Sequence, residues 1–176
     1  MVTSEIPRGE KITGETVDRY VTVAEIDKRM VPETALRDRE AVLGRIAVYE
    51  IEEGTVLTAG MLREEEEITG QMKEPVIAGF RAEDLYQVVG GVLRAGDRIH
   101  IYCVDPGKAE NEEGNEKILW ENVWVQQVFD QTGTAISGKD NATPAQRINI
   151  YLDKTEVDGF YSALAQGSLR AVKICE

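Results

Sequence analysis

Two stretches of this chain spell nearly the same text, and that duplication limits what the first third can fold into. EIPRGEKITGETV runs from Glu5 to Val17 and EIEEGTVLTAGML from Glu50 to Leu62; at an offset of 45 residues they share Glu5/Glu50, Ile6/Ile51, Gly9/Gly54 and Thr13/Thr58, with Ile12/Leu57 and Val17/Leu62 as conservative partners. Each copy is too short to bury its own apolar side, so Ile6, Ile12, Ile51 and Leu57 are expected to anchor both copies in one shared core. Ile6-Pro7-Arg8-Gly9 reads as a type I turn, because Pro7 presets φ at the second position and Gly9 can take the left-handed conformation that closes it; Gly54 is expected to do the same in the second copy. Thr13 and Thr58 are then placed to accept a backbone N–H at the start of a short helical turn ending on Val17 or Leu62. Neither has an acidic or amide residue three places later, so no capping box forms and these helices are expected to be brief.

A third, partial echo is LRAGDRI, in which Leu93, Gly96 and Ile99 keep the apolar-x-x-Gly-x-x-apolar frame. There the chain runs on as RIHIYCV, whose period-2 alternation predicts a strand. Between the two full copies, YVTVAEI and RIAVYEI also read as strands, while VPETALRDREAVLG reads as an irregular stretch with one helical turn at Arg39–Leu43.

The run REEEEITGQMKEP, Arg63–Pro75, combines four consecutive glutamates with Gly70 and Pro75, and reads as a solvated boundary between two apolar-patterned halves. The expected organisation is a first domain over residues 1–68, an acidic Gly/Pro linker over 69–75 and a second domain over 76–176. The second half opens with the strand EPVIAGF. Val123–Phe129 reads as a strand apolar on both faces, and QRINIYL as one with Ile148, Ile150 and Leu152 on one face. KTEVDGFYSALAQG places Val157, Phe160, Tyr161 and Leu164 at helical spacing with Gly167 as C-cap, before a last strand SLRAVKIC. Two polar loops, Asp105–Lys117 and Gln131–Pro144, are longer than hairpin connections and read as mobile tips or binding loops. The fold class is therefore mainly β with short helices, the second domain being small and β-rich with one amphipathic helix.

Candidate chemistry is scarce. Against 20 basic residues stand 32 acidic ones, a formal charge of −12 spread along the sequence, which repels phosphate backbones and anionic lipid; nucleic-acid binding is not expected. The single histidine, His100, lies between two isoleucines on a predicted strand and is expected to point off the core face. No serine sits in a nucleophile elbow, and Gly90, Gly91 and Gly96 form neither GxGxxG nor a phosphate loop, so they read as turn glycines. No catalytic, cofactor or metal residues are assigned. Cys103 and Cys175 are either buried free thiols or partners in a disulfide joining neighbouring strands. Trp120 and Trp124 fall on the same face of a regular strand and are read either as core and rim or as a carbohydrate-stacking platform.

The paired I-x-x-G-x-x-[IL]-T-x-x-x-[VL] segments, joined through MVPETALRDREAVLGRIA, resemble a SAF domain, and in particular the version in the CpaB/RcpC family of Flp (Tad) pilus assembly proteins. VVGGVLRAGDRIHIYCV is similar to that family's Gly-Gly pair leading into a Gly-Asp-Arg turn and a strand. ENVWVQQVF and QRINIYLDKTEVDGFYSALAQGSLRAVKI resemble its following strand and its strand, helix and final strand. The resemblance implies a β-clip fold for the SAF part followed by a small β domain. It also implies a non-enzymatic, extracytoplasmic protein, in the periplasm or at the cell surface, tethered to the membrane through an N-terminal helix absent from this sequence. Its implied partners are other pilus assembly proteins, with self-association and cell-wall contact as further options. The structural turn residues carried by the motif are Gly9, Gly54, Gly96, Thr13 and Thr58. The alternative function is a carbohydrate- or peptidoglycan-binding module using Trp120, Trp124 and the Gln131–Pro144 loop.

Overall fold

The computed structural model of the chain describes residues 1–104, 116–166 and 168–175 and is mainly β with short helices. It divides into two compact units, Met1–Gly70 with Ser137–Lys139, and Gln71–Ile136 with Asp140–Glu176.

In the first unit, helix α1 (Val17–Tyr20) is followed by single 3-10 turns at Lys28–Met30 and Glu40–Val42. Strand β1 (Ile46–Ala47) pairs with β2 (Leu62–Arg63), a further 3-10 turn covers Ala59–Met61, and helix α2 (Glu65–Thr69) closes the unit. What organises it is the duplication. Ile6 and Ile51 exchange both backbone hydrogen bonds at 2.9 Å, and outward from that pair the bonds repeat under the 45-residue offset. Gly54 N–H donates to Val2 O (2.8 Å) as Gly9 N–H donates to Ala47 O (2.9 Å), and Val2 N–H donates to Thr55 O (2.9 Å) as Ala47 N–H donates to Glu10 O (2.9 Å). The copies are therefore antiparallel partners about a local pseudo-two-fold. Ile6, Ile12, Ile51 and Leu57 are all buried in one cluster with Val2, Val42 and Leu62. Lys139, from the short segment grouped with this unit, pairs with Glu5 and with Glu50, positions that the same offset relates.

Several local expectations shift. The turn is Pro7–Glu10, closed by Glu10 N–H to Pro7 O (3.1 Å), one residue later than the sequence suggests. Glu52–Thr55 and Arg94–Asp97 close in the same way. Each glycine thus occupies the third turn position, with φ of 78° at Gly9, 82° at Gly54 and 80° at Gly96, the slot in which type II turns need a left-handed residue. The two threonines do not cap with their hydroxyls. Helix α1 begins at Val17 after Thr16, Thr13 instead offers its carbonyl to Val17 N–H (2.9 Å), and Thr58 offers its carbonyl to Met61 N–H (3.1 Å). YVTVAEI is not a strand: only Val21 bridges, to Val2, and nothing among the described residues extends that ladder along Val23–Ile26. The acidic run has Glu64, Glu66 and Glu67 exposed and lies at the end of the first unit, and it also carries regular structure. Its glutamates build α2 and its capping box, where carboxylates suit the positive helix start. Glu64, Glu65 and Glu67 pair with Arg45, Lys11 and Arg63, and Ile68 is buried.

The second unit is one antiparallel sheet in the order β3-β6-β5-β4-β7, formed by β3 (Pro75–Arg81), β4 (Arg98–Val104), β5 (Glu116–Phe129), β6 (Arg147–Asp153) and β7 (Ser168–Lys173). Helix α3 (Val157–Gln166) packs through Phe160, which is fully buried and edge-on to Phe80 (6.0 Å) and Trp120 (5.3 Å). Ile148, Ile150 and Leu152 share the buried face of β6, as their alternation predicts. Tyr161 departs from the predicted apolar stripe: it is 44% exposed, with its hydroxyl beside the backbone of Gly79 on the edge strand β3. The predicted cap Gly167 and residues 105–115 of the first polar loop lie outside the described residues.

Candidate functional site

The segment following 3-10 turns at Leu85–Gln87 and Val89–Gly91 gathers the two buried charged residues of the described chain, Arg94 and Asp97. Arg94 spends its guanidinium entirely on carbonyl groups. Nε donates to Asp140 O (2.9 Å), Nη1 to Gly91 O (3.0 Å) and Leu93 O (2.7 Å), and Nη2 to Thr143 O (3.0 Å) and Asp140 O. The planar fork reaches two chain segments at once, which an ammonium could not do. Asp97, with a fully buried side chain, accepts from Arg94 N–H (2.8 Å) and pairs with Lys173 Nζ (2.9 Å) on β7. Gly91 (φ 81°) lies so close to Pro144 that a Cβ there would sit 2.7 Å from Pro144 Cβ. The Gln131–Pro144 loop is thereby held at its far end, and at its near end Asp130 accepts from Thr132 and Thr134 N–H groups (2.8 and 2.9 Å). Its carboxyl is held below its ordinary range first by the Thr132 hydroxyl (2.7 Å) and then by these N–H groups, and that of Asp140 first by the Thr143 side chain and then by the Thr143 and Ala142 N–H groups. This is a structural clamp with no open face, and sequence reasoning passed over Arg94 because an arginine in a turn reads as solvated.

Trp120 and Trp124 do not share a face. Across β4, Ile101 stands opposite Trp120 and Ile99 opposite Val123, so between these pairs one residue of β4, His100, opposes two of β5, Glu121 and Asn122. The extra residue at the bulge, where Asn122 has φ 54°, reverses the inward–outward parity. Trp120 packs against the buried core and Phe160, whereas Trp124 stands opposite Arg98, whose guanidinium lies 5.6 Å from its ring centre. The stacking platform expected of a regular strand is therefore not built. His100 Nδ1 accepts from Asn122 N–H (3.4 Å) at the same bulge. Cys103 and Cys175 are free thiols; Cys103 is paired with Leu169, six residues before Cys175, about 20 Å at ~3.3 Å per residue, against the roughly 7 Å limit for a disulfide. Cys175 is exposed rather than buried. Among the described residues no three His, Cys, Asp or Glu side chains converge to hold a metal ion.

An open cavity exists in the first unit. A groove of about 640 Å³ has an apolar floor that includes Val21, Val31, Leu36, Val42 and Leu57. One wall is Val21–Ala24 with Ile26; the other is the Val31–Arg39 stretch. Its rim carries Lys28, Arg37 and Arg39 against Glu33 and Asp38. Arg39 pairs with Asp18, and Asp38 accepts from Ala41 N–H (2.8 Å) to start the Glu40–Val42 turn. Lys28 and Arg37 have no ion-pair partner among the described residues. The groove offers apolar area with charges of both signs at its rim, the general form of a binding site.

The paired turns, the shared core and this groove all fall inside one recognisable segment. Residues 2–63 match the SAF domain. No curated protein and no solved structure matches the chain. SAF domains are generally non-catalytic, and the match suggests a binding or assembly type of module for this part of the chain.

Proposed function

We propose that this chain is a non-enzymatic structural and interaction component of Flp (Tad) type pilus assembly, of the CpaB/RcpC kind. The observation that carries the reading is order: a SAF domain over residues 2–63 is followed by the segments VVGGVLRAGDRIHIYCV, ENVWVQQVF and QRINIYLDKTEVDGFYSALAQG in the sequence that family uses. The protein works outside the cytoplasm, held to the membrane by an N-terminal helix, and its partners are other pilus assembly proteins, with self-association as a second mode. The carbohydrate-binding alternative loses its motivating feature, since the bulge in β5 parts Trp120 from Trp124.

Deletion of the gene in its host tests this reading. Thin pili should vanish from the cell surface in electron micrographs and return on complementation, and the tagged product should fractionate with membranes. Normal piliation in the deletion strain would remove the assignment.

A further inference from the structure

We propose that Tyr161 guards the open edge of the second unit's sheet: its ring, held on α3, places a hydroxyl over the backbone of Gly79 in β3, where the β3 strand of a second copy of this chain would otherwise pair. The inference goes beyond the pilus reading and does not depend on it.

The edge follows from register. Ala82 N–H donates to Gln146 O (2.8 Å) and Lys154 N–H to Glu74 O (2.9 Å), at the two ends of the β3–β6 ladder. Backbone groups alternate along a strand, so the even-numbered residues from Glu74 to Ala82 turn theirs toward β6, and Pro75, Ile77, Gly79 and Arg81 turn theirs away. On that outer side no further strand follows among the described residues. The outward N–H and C=O of Ile77 meet no partner among the described residues, and its side chain is 56% exposed. Such an edge is its own complement, because two copies related by a two-fold axis present matching donors and acceptors to each other.

The other outward positions are blunted. Pro75 has no N–H to give, and Arg81 sets an exposed charge at the far end of the strand. Gly79 has no side chain and is the place where a second backbone could come closest. Tyr161 stands there: its hydroxyl accepts from Gly79 N–H (3.4 Å) and donates to Gly79 O (3.5 Å). Both distances are long and the bonds weak; what counts is the place they occupy, since one hydroxyl meets the donor and the acceptor that a pairing strand would meet. The ring is set edge-on to the fully buried Phe160 at 5.3 Å, which fixes its reach from the helix to the edge. An aromatic shielding an edge glycine also accounts for a 44% exposed residue within the apolar stripe of α3.

Sedimentation velocity and amide exchange of the whole chain at rising concentration test the guard. In the unaltered chain, exchange at Ile77 and Gly79 should not depend on concentration. Tyr161→Ala clears the site at a half-exposed helix position that suits alanine. Its sedimenting mass should double relative to the unaltered chain, and exchange at Ile77 and Gly79 should slow at least about tenfold as the pairs form. Tyr161→Phe keeps the ring without the hydroxyl and should fall between the two. Adding Ile77→Lys to Tyr161→Ala puts a charge on the edge and should abolish the association with the circular dichroism spectrum unchanged. Should Tyr161→Ala lose its fold, Tyr161→Phe decides by the same two readings. The proposal is overturned if the folded variants sediment like the unaltered chain, if the unaltered chain already protects Ile77 and Gly79 on concentration, or if Ile77→Lys leaves the association of Tyr161→Ala in place.

Discussion

Gly90 and Gly91 are neighbours with the same backbone handedness and opposite surroundings, and they allow the clamp around Arg94 to be tested by a single methyl group. Both have positive φ, 67° and 81°, so alanine at either costs about 1–2 kcal/mol in the left-handed region. Each replacement also removes unfolded-chain freedom, offsetting about 0.4–1 kcal/mol. There the resemblance ends. A Cβ on Gly90 meets nothing within 4 Å, whereas a Cβ on Gly91 lies 2.7 Å from Pro144 Cβ, 3.0 Å from Pro144 Cα and 3.2 Å from Ala145 N. Two of those atoms are backbone, so no rotamer change relieves the contact. The segment must move, straining Ala145 N–H to Gly91 O (2.9 Å) and Arg94 to Thr143 O (3.0 Å). Overpacking of this kind adds about 1–3 kcal/mol. Gly91→Ala should therefore be less stable than Gly90→Ala by about 1–3 kcal/mol. Trp120 and Trp124 are the only tryptophans in the sequence and both lie in the second unit, so urea unfolding followed by tryptophan fluorescence reads that unit directly. In a unit of this size the difference corresponds to a gap of roughly 4–8 °C per kcal/mol between the two melting temperatures. Equal midpoints for the two variants would mean that Gly91 is not pressed on Pro144, and the account of the clamp would fail.

Arg94→Lys keeps the charge but loses the fork; it should destabilise the second unit by at least ~2 kcal/mol, and a loss below ~0.5 kcal/mol in the same fluorescence assay would show the carbonyl contacts to be dispensable. Gly54→Val forces a β-branched residue to φ 82° and should cost roughly 1 kcal/mol or more, read as faster amide exchange at Ile6 and Ile51; unchanged protection there would refute the turn assignment. Asp153 accepts from Thr155 N–H and hydroxyl and from Lys73 and Glu74 N–H, and these bonds hold its carboxyl down at about 2. Because the folded value lies below the ordinary 3.8, its stabilising contribution is complete above 3.8 and is lost as pH falls toward about 2. A carboxyl carbon titration of Asp153 by NMR with a midpoint near 3.8 would contradict those bonds.

What the sequence made legible follows period and duplication. The alternation of Ile148, Ile150 and Leu152 and the helical placement of Phe160 depend on burial alone, and burial leaves a plain trace in the text. The repeat located the first core because one residue pair, Ile6 and Ile51, sits at its centre. The misses share another cause: each depends on a non-local partner or on a single extra residue. YVTVAEI has strand composition, but whether such a stretch forms a ladder depends on a partner distant in sequence, and among the described residues its pairing involves only Tyr20, Val21 and Thr22. The tryptophans alternate correctly for a regular strand, and one bulge residue at Asn122 undoes the parity. Arg94 carries no local sign of burial, because its acceptors come from Gly91 and Leu93 nearby and from Asp140 and Thr143 more than forty residues on.

The duplication also explains where the first unit is free to recognise something. Residues repeated at the 45-residue offset use their backbone groups on each other, and their apolar side chains on a common cluster; that half of the surface is committed to folding. The chain between the copies has no symmetric counterpart and so no partner dictated by the repeat. The groove is made chiefly there, from Val21 to Val42, with only Val56 and Leu57 supplied by the second copy. Symmetry fixes the scaffold with few distinct interactions, and the unrepeated connection is left to line most of the groove, with Lys28, Glu33, Arg37 and Asp38 among its charges. A change in the connector should consequently alter binding while sparing stability, and a change in the copies should do the opposite.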